Sequence, residues 1–143
     1  RQLADTNFFT NQHLQLDTFI ENINKNNIEH LKDITDVVQI GIGGSHLGPE
    51  SIYFSLVAYF NSQNTPLQRT GHFISHLDPL EFKLKMAPLT PKNTLFILAS
   101  KSGSTQEILS NYELLKHWWV NEKGLNENNL KHYCISLTSK VLN

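Results

Sequence analysis

The sequence predicts an α/β fold: a three-layer, open parallel sheet with helices on both faces. Short apolar, β-branched runs alternate along the chain with longer helix-like segments, in the order strand, helix, strand, helix, strand, helix, strand. Two of those runs, residues 37–42 and 94–99, are almost wholly apolar, the composition of strands covered on both sides. Both lead into turns rich in glycine or serine, and parallel sheets bind their ligands at the carboxyl ends of strands.

Taken in order, Leu14, Leu16, Phe19, Ile20 and Ile23, then Ile28, Leu31 and Ile34, recur at roughly helical spacing. This predicts an amphipathic helix or helix pair over residues 1–35, broken by the asparagines at 24–27. Residues 37–42 form the first strand, Gly43-Gly44-Ser45-His46 a turn, and 47–60 a helix with Pro49 in its first turn. A polar loop precedes a second strand at 72–75. Asp78-Pro79 then reads as an N-cap with proline at the first helical position, opening a helix over 80–87. The third strand is 94–99, followed by a helix to about Val120 with Gly124 as its stop signal. The fourth strand is 133–137. Two regions result: an N-terminal helical segment, 1–35, and a sheet domain, 36–143, that ends on a strand without a covering helix. Together with a start at Arg1, this reads as a piece of a longer protein.

Composition narrows the function. The 143 residues suffice for one substantial core. A charged fraction of 17% and a formal net charge of −1 give no electrostatic footprint for nucleic acid. The apolar runs are too short to span a membrane. The seven histidines show no metal-ligand spacing, so neither a metal nor a cofactor is expected. Cys134 reads as a buried, inert thiol, and such sparing cysteine use suits a reducing cytoplasm. Trp118-Trp119 reads as core packing on one helix face.

The chemistry is concentrated in two turns. Ser100-Lys101-Ser102-Gly103-Ser104-Thr105-Gln106-Glu107 joins a strand to a helix N-terminus, where backbone N–H groups and the helix dipole favour an anion. Its hydroxyls exceed what helix capping needs, and Gly103 allows close backbone approach. Glu107 is either a partner for the helix dipole or an acceptor for ligand hydroxyls. The other turn, Gly41-Ile42-Gly43-Gly44-Ser45-His46-Leu47-Gly48-Pro49, fails the dinucleotide fingerprint, because His46 stands at the third glycine and no acidic residue ends the next strand. Gly44 and Ser45 nonetheless offer open backbone and a hydroxyl. A phosphorylated small molecule is the expected ligand, held by both turns.

These two blocks together resemble the glucose-6-phosphate isomerase family. The first matches its Ile-Gly-Ile-Gly-Gly-Ser-x-Leu-Gly-Pro signature, and the second its Ser-Lys-Thr/Ser-x-Thr/Ser-Thr-x-Glu phosphate loop. The resemblance implies a sugar isomerase (SIS) domain, incomplete at its C-terminal end. It implies an aldose–ketose isomerase interconverting glucose 6-phosphate and fructose 6-phosphate through an enediol, in glycolysis and gluconeogenesis. By carry-over Ser100, Lys101, Ser102, Gly103, Ser104 and Thr105 bind the substrate phosphate, while Gly44, Ser45 and Glu107 meet the sugar. The family's catalytic base glutamate, histidine, lysine and arginine come from other segments and from the partner of a homodimer. No catalytic residue is therefore expected in this chain, which is expected to be inactive alone. Gly103 replaces an aromatic of the animal-type loop, Ser102 stands where threonine is common, and His46 where aspartate is frequent. The competing reading is a non-catalytic sugar-phosphate-binding regulatory module on the same fold, and the block at residues 41–49 favours the isomerase.

Overall fold

A computed structural model describes residues 6–76, 78–100 and 106–138. The chain divides into two compact units that part between Lys32 and Asp33. The first holds helix α1 (Thr6–Asn24) and one 3-10 turn (Glu29–Leu31). Its predicted break is present: Asn26 has a φ of 56°, the left-handed conformation that asparagine tolerates better than most residues. A short turn, not a second helix, follows. Ile23 and Leu31 of the predicted stripe are buried, whereas Leu14, Leu16 and Ile20 are exposed.

The second unit holds four parallel strands: β1 (Asp36–Gly41), β2 (Thr70–Ile74), β3 (Thr94–Ala99) and β4 (Cys134–Leu137), in the order β2-β1-β3-β4. The chain steps from β1 outward to β2, returns past β1 to β3, and continues to β4. Strand order therefore reverses between β1 and β3, which pair in register from Asp36↔Thr94 to Gly41↔Ala99. That reversal is where open α/β sheets form a crevice for ligands.

Helices α2 (Gly44–Ser62), α3 (Pro79–Met86), α4 (Gln106–His117) and α5 (Glu127–Leu130) connect and follow the strands. Side chains alternate across a strand, so Val38, Ile40, Phe96 and Leu98 share one face. They pack with Phe82 and Met86 of α3 and with Ile108 and Leu115 of α4 in a single core. Each such side chain contributes about 1.5–3 kcal/mol when fully buried. Asp78 caps α3 as predicted, its carboxylate accepting from the N–H groups of Leu80 (2.8 Å) and Glu81 (3.3 Å).

Trp118 and Trp119 are both buried in this core, their rings 6.1 and 6.5 Å from that of Phe96. Adjacent residues on an α-helix diverge by about 100°. Here α4 runs into a π-helical turn (Trp118–Glu122), with the Lys123 N–H donating to the Trp118 carbonyl five residues back. The wider turn turns both indoles inward, in keeping with the reading of the pair as core packing, although the π turn itself was not foretold. Gly124 then leaves the helix at φ 65°, the predicted stop.

The start of α2 departs from expectation. It begins at Gly44, three residues before the predicted start, so Pro49 is its sixth residue and not part of its first turn. Proline lacks the N–H that would bond the Ser45 carbonyl. The Gln39 side chain, on the α2 side of β1, donates to that carbonyl instead, at 2.5 Å. Gln39 thus explains why β1 is not apolar throughout.

Candidate functional site

The strands that lead into the two turns singled out by the sequence, β1 and β3, end side by side at the same end of the sheet. After β1, Gly43 acts as N-cap of α2 with φ 59° and ψ −123°, a conformation that side chains with a Cβ adopt at a cost. Gly43 supplies no side-chain cap, and the first helical bonds run from the His46 and Leu47 N–H groups to its carbonyl, each 3.0 Å. The positive end of the α2 dipole therefore points out of the carboxyl end of β1. A Cβ placed on Gly43, Gly44 or Gly48 would meet nothing within 4 Å among the described residues, so this backbone is open to an approaching molecule.

Gly41 is needed for the opposite reason. A Cβ there would lie 2.5 Å from the Ser45 carbonyl oxygen. Its absence lets the first turn of α2 settle directly on β1. Gly41 and Gln39 together fix where Ser45 sits: one leaves room for its carbonyl, the other bonds it.

After β3, the expected phosphate residues Lys101, Ser102, Gly103, Ser104 and Thr105 lie outside the described residues, as does the Glu107 side chain. Ser100 is described and buried. Its N–H donates to the Leu137 carbonyl at 2.9 Å, extending the β3–β4 ladder. This backbone donor is therefore committed to the sheet. A cleft of about 360 Å³ reaches Ser100 from the β4 side, lined also by Ile108, Tyr112, Lys131, Cys134 and Ser136. Gly44 and Ser45 do not line it.

His46 is buried in the first turn of α2, its Nε2 3.1 Å from Glu50 Oε2 and its ring 6.1 Å from that of Phe73. It is a packing histidine, whereas the His76 side chain is largely exposed. The Cys134 thiol, the only cysteine of the chain, is pushed up to about 12 by burial. It stays protonated, as expected of an inert thiol. Among the described residues no group of three His, Cys, Asp or Glu side chains is placed to hold a metal ion, and no helix is long and apolar enough to cross a membrane. Gln39 is the residue that motif reading missed. Its one visible signal was a lone amide in an otherwise apolar strand.

The fold is an open parallel α/β domain in which β1 and β3 end side by side at the point where strand order reverses. The comparisons with known proteins agree with that class. The family model of phosphoglucose isomerase matches residues 6–142, and the chain belongs to that family. It is 36% identical over 129 residues to a glucose-6-phosphate isomerase of Shewanella sediminis, covering 89% of this chain and 23% of that protein. It is 39% identical over 112 residues to one from Treponema pallidum, covering 77% and 21%. The crystal structure of a glucose-6-phosphate isomerase from Chlamydia trachomatis superposes with a TM-score of 0.70 at 27% identity, over 98% of this chain and 25% of that one. The chain thus spans about a quarter of the length of the relatives it matches.

Proposed function

We propose that this chain is the phosphate- and sugar-binding part of a glucose-6-phosphate isomerase, a cytoplasmic homodimer acting on hexose 6-phosphates. The reading is supported by one observation: β1 and β3 are adjacent and parallel, with Gly41 paired to Ala99, so the strand ends that lead into the two family motifs lie side by side. In this reading the Ser100 hydroxyl, the Lys101 backbone, Ser102, Gly103, Ser104 and Thr105 hold the phosphate. Gly44 and Ser45 meet the sugar, and Glu107 stands in the wall. The uncapped N-terminus of α2 adds favourable potential for the phosphate dianion.

Aldose–ketose isomerisation needs a carboxylate to move a proton between C2 and C1, a group to open the ring, and a cation to steady the enediolate. This chain is assigned none of those roles. It binds and orients, and the chemistry belongs to segments of the family beyond the portion matched. Glucose 6-phosphate added to the isotopically labelled chain is expected to shift the Gly44, Ser45 and Ser100 amide resonances, while NAD leaves them in place. A coupled isomerase assay is expected to show no turnover by residues 1–143. Absence of shifts at those three amides would remove the binding reading, and substantial turnover would remove the division of labour.

A further inference from the structure

Asn111 lies in the stripe of α4 that faces the sheet, between Ile108 and Leu115, and is completely buried. Neither its amide nitrogen nor its amide oxygen has a hydrogen-bond partner among the described residues. An orphaned buried polar group destabilises the fold, and this side chain carries two. The helix itself orients it. Ile108, Leu109 and Tyr112 line the cleft on the β4 side. At about 100° per residue, Asn111 lies about 160° around α4 from Leu109, on the opposite flank. Helix α4 packs on both β1 and β3, so that flank is turned toward β1. Ile42, which packs against the same core, follows β1 directly, and Gly43-Gly44 comes next.

We propose that Asn111 is a positioning residue for the sugar-phosphate site, its amide becoming the hydrogen-bond partner of the Ile42–Gly44 backbone when ligand is bound. A carboxamide presents one acceptor and a donor in a plane, the complement of a peptide group. The Ile42 and Gly43 carbonyls already accept the first bonds of α2, so it is the N–H groups at this helix start that the amide oxygen can meet. In the free chain the amide stands unpaired, and its satisfaction adds to the affinity for ligand. The inference rests on the sugar-phosphate reading of the site.

The test is Asn111→Leu in the 143-residue chain, followed by thermal unfolding and by titration with glucose 6-phosphate observed through the Gly43 and Gly44 amides. The expected result is a pair of opposite effects. The free variant melts at or above the wild-type temperature, because two orphaned atoms are gone. It binds glucose 6-phosphate at least tenfold more weakly, and the Gly43 and Gly44 shifts shrink. A variant that melts lower or does not fold would show that the amide is already partnered in the free chain, overturning the proposal. Unchanged affinity in a stable variant overturns it while leaving the binding site itself intact. Failure of the wild type to bind removes the site and the proposal together.

Discussion

Replacing Gly41 with alanine tests the architecture of the site most directly. The added Cβ would lie 2.5 Å from the Ser45 carbonyl oxygen and 3.1 Å from its carbonyl carbon. An ordinary carbon–oxygen approach is about 3.3 Å, so the backbone must yield by about 0.8 Å. Ser45 has little freedom to do so, since Gln39 Nε2 holds the same oxygen from β1. Overpacking of this kind costs about 1–3 kcal/mol, and a lost side-chain bond adds about 1 kcal/mol. The sum is about 2–4 kcal/mol. For a chain of this size each kcal/mol lowers the melting temperature by about 3–4 °C, giving a fall of about 6–16 °C.

Gly44→Ala is the matched control. It sits three residues on, in the same turn, where a Cβ meets nothing within 4 Å. As the first residue of α2 it needs no unusual backbone angle, and alanine there restricts the unfolded chain, a gain of about 0.4–1 kcal/mol. Thermal unfolding by circular dichroism should therefore separate the two alanines widely, with Gly41→Ala the lower. If their melting temperatures lay within about 2 °C, the close seating of α2 on β1 would be wrong. The positioning of Ser45 derived from it would fail as well.

Three further outcomes follow. Gly71→Ala places a Cβ 2.8 Å from the Tyr53 ring, whose hydroxyl accepts the Gly71 N–H at 2.7 Å, so a loss of about 1–3 kcal/mol is expected in urea unfolding. Tyr53→Phe, which removes only the acceptor, should cost less, about 1 kcal/mol. For Cys134, burial raises the folded pKa from 9.0 to about 12, so its contribution is fully present below about pH 9 and is lost as pH rises toward 12. Stability should decline from about pH 9 upward. Cys134→Val should flatten that decline below the range where Tyr112, also raised by burial, begins to titrate. Because the thiol stays protonated, iodoacetamide at pH 8 should label Cys134 of the folded chain far more slowly than a free cysteine, and labelling at the free-thiol rate would contradict its raised pKa.

Much of this architecture could be read from local physics. The strands at 94–99 and 133–137 were visible as apolar runs, and Asp78-Pro79 carries its capping chemistry in two residues. The parallel sheet followed from alternation alone. Strand order did not, because it depends on which helices cover which face, a matter of packing between distant segments. The adjacency of β1 and β3, on which the proposed site depends, therefore came only with the structure. Local signals also misplaced the start of α2. Glycine at 43, 44 and 48 and proline at 49 all argue against helix by propensity, yet tertiary contacts override them. The π turn escaped because one inserted residue leaves no mark on the sequence, although the tryptophan pair itself read as core packing. Asn111 looked like any polar residue on a helix until its burial was known.

Gln39 and Pro49 are best understood as one device, and that idea makes a separate prediction. Proline at 49 removes the donor that α2 would otherwise offer to the Ser45 carbonyl, and Gln39 replaces it from the neighbouring strand. Gln39→Leu should therefore leave that carbonyl unsatisfied and cost about 1–3 kcal/mol. In a Pro49→Ala background the alanine N–H can bond Ser45 within the helix, so the same Gln39→Leu change should cost under about 0.5 kcal/mol. Urea unfolding of the wild type, both single variants and the double variant closes the cycle, with an expected coupling of about 1–2 kcal/mol. Additive effects would mean that Gln39 stabilises α2 by some route other than the Ser45 carbonyl. A coupling of the expected size would show that the proline is tolerated because a strand residue substitutes for its missing N–H. It would also tie the placement of Ser45 to a bond between sheet and helix, not to the helix alone.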